Sequence, residues 1–278
     1  MGSENLKTPL TVRVANALKC AIFPEKCLMC GVLFHPLSSQ KILWEQESKT
    51  IQRITSSFLC NTCSTGTEPI RSPICSVCGI MFKTRQGEDH VCGHCIEQSW
   101  HFKAARAFCV YHGDIRTLIH SLKFKGKIQV AEPLSKLLFS ACIRFWNMNS
   151  IDLVVPVPLH IKRFRQRGFN QAFLLVRDWI RFAEDLNKAQ FRIRIGTNLL
   201  LRNRHTKPQI GLGKEDRISN IKNAFRVCDP GKIKGKRILL IDDVFTTGAT
   251  VDECAKTLIK TGAVRVDVLT LARVMSLR

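Results

Sequence analysis

From about residue 105 onward the chain alternates short apolar runs with segments whose apolar residues recur every three or four positions. The run "IDLVVPVP" from Ile151 is almost continuously apolar, the pattern of a strand covered on both faces of its sheet. "RILLID" from Arg237 and "VRVDVLTLA" from Val264 read as two more such strands. Between them, "NQAFLLVRDWIRFAEDL" from Asn170 and "TVDECAKTLIKTGA" from Thr250 carry helical periodicity, and Gly262 fits a helix C-terminal glycine. Alternating strands and helices predict an α/β fold with a parallel sheet and helices on both faces. In such sheets ligands sit at the carboxyl ends of the strands.

Upstream the texture differs. "LTVRVANALKCAIF" from Leu10 places Val14, Ala17, Leu18, Ala21 and Ile22 at helical spacing, which predicts a docking helix. It is too short and too polar to be a membrane span, which needs roughly 20 apolar residues, and no other run approaches that length. The expected organisation is therefore an N-terminal helix with a cysteine-rich unit over residues 1–100, followed by the α/β unit over 101–278.

Eight of the 13 cysteines form four CxxC pairs: Cys27 and Cys30, Cys60 and Cys63, Cys75 and Cys78, Cys92 and Cys95. A CxxC turn sets two thiolates on one side of a tight loop, half of a tetrahedral zinc site. "CLMCG" and "CSVCG" run into glycine, whereas "CNTC" and "CGHC" do not. That order favours two consecutive ribbons, Cys27/Cys30/Cys60/Cys63 on one zinc and Cys75/Cys78/Cys92/Cys95 on another, with crossed pairings left as the alternative. Closed four-thiolate sites leave no open coordination position, so both zinc ions are expected to be structural. The polar start "MGSENLKTPL" does not resemble a secretory leader, which points to a cytoplasmic protein with thiols free or metal-bound.

Charge narrows the choice of ligand. The formal net charge is +21, and residues 101–278 hold 33 Lys and Arg against 14 Asp and Glu, whereas residues 1–100 hold 10 against 8. Such a positive field suits phosphate groups, on a nucleotide or along a nucleic-acid backbone. Against it stands "ILLIDDVFTTGAT" from Ile238, two adjacent carboxylates after an apolar strand. The expected geometry has Asp242 and Asp243 leaving the sheet edge. Thr246, Thr247, Gly248, Ala249 and Thr250 follow as a small-residue loop, and its amides join a helix N-terminus as an anion cradle. Two acids beside a phosphate suit a sugar phosphate: they accept hydrogen bonds from vicinal hydroxyls and hold magnesium directly or through water.

This segment resembles the signature by which type I phosphoribosyltransferases bind 5-phosphoribosyl-1-pyrophosphate (PRPP). "RGFNQA" at Arg167–Ala172, "VYHGDIRTLIHSLKFKGK" from Val110, "LLRNRHTKPQIGLGKEDRISNIKNAF" from Leu200 and the CxxC pairs then resemble the ComF family of phosphoribosyltransferase-like proteins. The resemblance covers residues 20 to 273 and implies a type I phosphoribosyltransferase-like domain after a zinc-ribbon domain.

It further implies that Asp242 and Asp243 contact ribose hydroxyls and magnesium, that Thr246 to Thr250 hold the 5′-phosphate, and that Lys162, Arg163 and Arg167 meet the pyrophosphate. A flexible loop containing Arg202, Arg204, Thr206, Gln209 and Arg217 would close over the site, hinged at Gly211 and Gly213. Whether a phosphoribosyl group is transferred, and to which nitrogen acceptor, is left open. The family's role implies action on single-stranded DNA in natural transformation, with Phe124, Phe164 and Phe169 as candidate stacking residues. A further alternative is a zinc-ribbon adaptor for an uptake helicase or another DNA-processing protein.

Overall fold

A computed structural model describes residues 24–35, 54–64, 66–84, 86–185, 194–204 and 221–275. The expected docking helix lies outside the described residues, as do Thr206, Gln209, Gly211, Gly213 and Arg217. The chain forms two compact units, Met1–Gly66 and Thr67–Arg278.

In the first unit, β1 (Glu25–Lys26) pairs antiparallel with β2 (Leu33–Phe34) around the first CxxC turn, and α1 (Asn61–Ser64) carries the second. Gly31 closes the first turn at φ +78°, a left-handed conformation that glycine adopts without steric cost. Ile54, Phe58, Leu59, Cys27 and Cys60 are buried, so this small unit packs largely around its own thiols.

The second unit contains the other two CxxC turns and the whole sheet. The fourth pair opens α2 (Gly93–Glu97). The chain then runs through β3 (Ala105–Val110), α3 (Gly113–Lys125), α4 (Ala131–Phe145) and β4 (Leu153–Pro156). Next come α5 (Ile161–Arg167), α6 (Gln171–Leu174), α7 (Trp179–Asp185), β5 (Leu200–Arg202) and β6 (Phe225–Val227). β7 (Arg237–Phe245), α8 (Ala249–Lys260) and β8 (Arg265–Arg273) complete it. Four strands form one all-parallel sheet in the order β3-β8-β7-β4, while β5 and β6 make a separate antiparallel ribbon. The parallel α/β fold expected from the alternating pattern is the fold observed.

Alternation along β7 explains the two layers. Ile238 and Leu240 join Val251, Cys254, Ala255 and Leu258 of α8 in one core cluster. Leu239 and Ile241 therefore point to the opposite face, where α4 packs on β3 and β8. The segment expected as one helix from Asn170 is broken into α6 and α7. Ser135 donates to the Leu175 carbonyl at that break, 2.8 Å away, and Trp179 packs edge-on against Phe139 at 5.4 Å. Tertiary packing thus overrides the continuous periodicity.

The second cysteine group belongs with the sheet rather than with the residues before it. The Ala105 amide donates to the Val77 carbonyl (2.7 Å), and a Cβ at Gly79 would lie 2.4 Å from the Ala105 carbonyl oxygen. That close approach places the ribbon directly against β3, so the division of the chain falls at Gly66 whereas the sequence pattern places it near residue 100.

Candidate functional site

The four CxxC turns assemble in sequence order. Cys27, Cys30, Cys60 and Cys63 converge in the first unit and Cys75, Cys78, Cys92 and Cys95 in the second, each set with ligand atoms within 4.8 Å of one another. Cys30 and Cys60 Sγ are 3.8 Å apart, and so are Cys78 and Cys92 Sγ. Tetrahedral zinc with bonds of about 2.3 Å requires sulfurs about 3.8 Å apart, so both donor sets fit zinc. Backbone amides supply the outer shell: Cys60 N–H donates to Cys27 Sγ (3.4 Å), and the amides of Cys78 and Cys92 donate to Cys75 Sγ (3.4 and 3.3 Å). The side-chain hydrogen bond from the Cys78 thiol is the largest cause, and with the amides it holds the Cys75 thiol down at about 3 against its burial. Such donors favour a thiolate.

At the sheet the acid pair sits differently from expectation. β7 does not end at Ile241 but continues through both carboxylates to Phe245, with Asp242 registered on Thr270 and Phe245 on Arg273 of β8. The acids are therefore held by the sheet ladder rather than by a loop, and they alternate in direction. Asp243 is only 4% exposed. Asp242 accepts a hydrogen bond at Oδ1 from the Asp243 amide (2.9 Å).

The counter-charge comes from α3, where the sequence offered Phe124 as a stacking residue but gave Lys123 no role. Lys123 is in ion-pair contact with Asp243 Oδ2, although that oxygen accepts no hydrogen bond of ordinary geometry. Burial pushes the Lys123 ammonium down to about 8, with Arg167 and Arg163 adding to the fall and Asp242 opposing it. Burial likewise raises Asp242 to about 6, against the pull of Lys123 and Arg202. The guanidinium groups of Arg163, Arg167 and Arg202 are each lowered, chiefly by burial. Lys123 and Arg202 thus act on the acids, and Arg163 and Arg167 act on Lys123, a surplus of positive charge in a partly desolvated site. The "SLKFKGK" stretch carried this signal, but 120 residues separate Lys123 from Asp243 along the chain (243 − 123), and no pattern within α3 indicates that contact.

The residues expected at the pyrophosphate, Lys162, Arg163 and Arg167, come from one short helix. His160 caps α5, its Nδ1 accepting from the Lys162 amide (3.2 Å). Arg167 donates to Gln171 and lies 5.5 Å from the Phe124 ring, so Arg163 and Arg167 share one neighbourhood with Lys123. Lys162 is exposed. Arg202 ends β5, which bridges to His160, while Arg204 donates to the Lys222 carbonyl (2.7 Å). These two residues form the described root of the expected flexible loop.

The small-residue loop completes the site. Thr246 is exposed, Gly248 takes φ +84°, and α8 starts at Ala249, one residue before the expected start at Thr250. Gly248 at the N-cap has no side chain to cap that helix, and the Thr247 hydroxyl accepts from the Ala249 amide (3.5 Å). A Cβ at Gly248 would lie 2.6 Å from Phe245 and 2.9 Å from Trp100, so glycine is required by space as well as by φ. Of the candidate stacking residues, Phe124 and Phe164 are 55% and 43% exposed, and Phe169 is half-buried.

No family model matches the chain. It is 31% identical over 221 residues to the DNA utilization protein YhgH of Escherichia coli K12, covering 78% of this chain and 91% of that protein. It is 32% identical over 225 residues to competence protein F of Haemophilus influenzae, 79% and 92% of the two chains. Competence protein ComFC of Bacillus subtilis is 28% identical over 256 residues, 89% and 94%. Among solved structures, the glutamine PRPP amidotransferase of B. subtilis complexed with ADP and GMP aligns at a TM-score of 0.30 and 20% identity over 50% of this chain and 25% of its own.

Proposed function

Because the chain belongs to the family of competence protein F and the DNA utilization proteins, we propose that its sheet-edge site binds PRPP with magnesium and that the basic surface around it binds single-stranded DNA during DNA uptake in the cytoplasm. One observation carries the reading. Asp242 and Asp243 meet Lys123 and Arg202 at the carboxyl end of the parallel sheet, with Arg163 and Arg167 near Lys123 and the N-terminus of α8 beside them. The Thr246–Thr250 amides take the 5′-phosphate, the acids accept from the ribose hydroxyls, and Lys162, Arg163 and Arg167 face the pyrophosphate. The two carboxylates fit a divalent cation, and Lys123 already places one positive charge there. Magnesium, when bound, neutralises the pyrophosphate. Pentosyl transfer would break the C1–O bond to pyrophosphate and form a C1–N bond to an acceptor, a reaction for which this site supplies binding and charge.

The DNA reading rests on the exposed rings of Phe124 and Phe164, set among Arg163, Arg165 and Arg167. Aromatic rings in a cationic groove stack on bases without regard to sequence. No helix of the described residues is long and apolar enough to cross a membrane.

Calorimetry with PRPP and magnesium, with and without single-stranded DNA, tests both parts. PRPP is expected to bind, to bind much more weakly to Asp243→Asn, and to compete with DNA. Phe124→Ala is expected to weaken DNA and spare PRPP. Absence of PRPP binding to the zinc-loaded wild type would sink the ribose-phosphate reading, and DNA affinity that is independent of salt would sink the groove.

A further inference from the structure

The second cysteine cluster and the small-residue loop are connected by two side chains, the partly buried Trp100 and the buried Arg273. Trp100 donates its indole N–H to Cys95 Sγ (3.3 Å), while the far edge of the same ring lies 2.9 Å from the position a Cβ would take on Gly248. Arg273, 6% exposed at the end of β8, donates from Nη1 to the Cys78 carbonyl (2.6 Å) and from Nη2 to Cys78 Sγ (3.5 Å). Its guanidinium stacks over Phe245 with Cζ 4.2 Å from the ring centroid, and Phe245 is the other side chain pressed on Gly248. Phe102 closes the cluster, 5.0 Å from Trp100 and 6.1 Å edge-on to Phe245.

Each connection starts on a different ligand of one four-cysteine set and ends under the same glycine. A zinc bound by four thiolates carries a net charge of −2, which suits both an indole N–H and a buried guanidinium as outer-shell partners. Without that charge a guanidinium at this depth is strongly disfavoured. The thiolates therefore hold Trp100 and Arg273 in place, and those two side chains form the floor of the loop.

The geometry points to Trp100 and Arg273 as positioning residues that make the phosphate loop depend on metal in the second ribbon. This inference rests on the ribose-phosphate reading above. Neither residue touches the ligand, and both act through the Gly248 backbone. The coupling is reciprocal, so ligand at the loop must also alter the metal site.

Cobalt-substituted full-length protein gives the direct readout. PRPP with magnesium is expected to shift the cobalt d–d and thiolate charge-transfer bands, and the shift is expected to vanish in Trp100→Phe and Arg273→Lys. Both variants should keep two metals per chain and the wild-type circular dichroism, while binding PRPP about fivefold more weakly for each lost donor. Wild type that binds PRPP with an unchanged cobalt spectrum overturns the coupling and leaves the ribose-phosphate reading intact. Metal-loaded variants with wild-type affinity do the same. Wild type that binds no PRPP overturns both. If either variant fails to fold, the wild-type cobalt spectrum decides alone.

Discussion

Replacing Lys123 by methionine removes the cation nearest to a buried carboxylate while keeping the length of the side chain. Asp243 is 4% exposed, and its Oδ2 has Lys123 as its ionic neighbour. Breaking a buried pair from one side costs about 3–5 kcal/mol, provided the remaining charge stays ionised. The carboxyl can escape by taking a proton, which costs about 1.4 kcal/mol for each pH unit above its ordinary value near 4. The loss is therefore limited to about 1.5 kcal/mol at pH 5 but reaches about 3–4 kcal/mol at pH 7. Asp242 works in the same direction, because Lys123 is among the groups holding its value down. For a unit of this size, about 2–4 °C of melting temperature per kcal/mol predicts losses of about 4 °C at pH 5 and about 10 °C at pH 7. Scanning calorimetry of wild type and Lys123→Met at the two pH values measures both. Equal losses at the two values, or a loss under about 2 °C at pH 7, would refute the ion-pair account.

Three further outcomes follow from the same geometry. Metal analysis should give about two zinc per chain, and Cys75→Ser should lower it to about one while lowering the melting temperature of the sheet-bearing unit; retention of both ions would contradict the cluster. The Asp242 value of about 6 lies above its ordinary 3.8, so the folded state holds the extra proton and stability falls as pH rises from about 4 to about 6. Affinity for PRPP with magnesium should rise over that window, because the cation requires the carboxylate; a pH-independent affinity would contradict this. Lys123, lowered to about 8 from 10.5, acts oppositely and adds stability as pH climbs from 8 to 10.5. Gly248→Ala meets both a φ of +84° and a 2.6 Å clash with Phe245. It should cost about 1–3 kcal/mol and abolish phosphate binding, as judged by denaturation and calorimetry together.

Local signals were legible where each element's environment is encoded in its own residues. The runs at β4, β7 and β8 are apolar because both faces of a parallel sheet are covered, and the uninterrupted pattern indicated strand and sheet type together. CxxC spacing fixes thiolate geometry within one turn, so pairing by the following glycine matched the assembled clusters. The small-residue loop was readable because Gly248 meets a backbone requirement, a φ of +84°.

What the sequence could not supply were the partners of those motifs, because long-range packing leaves no local trace. The two acids looked like loop residues because strand propensity for Asp is poor, yet registry with Thr270 and Arg273 carries the ladder through them. A nine-residue strand extended by its neighbour costs little when each added residue gains a ladder hydrogen bond, so the ladder itself carries the acid pair. Acids on a loop could swing into solvent, whereas acids in a ladder must be compensated where they stand. Lys123 of α3 and Arg202 at the end of β5 supply that compensation from distant parts of the chain. The basic excess of the C-terminal part is thus structural at its centre. A substitution that removes a cation there should affect stability and ligand binding together, and one at the exposed Arg165 of α5 should affect ligand binding alone.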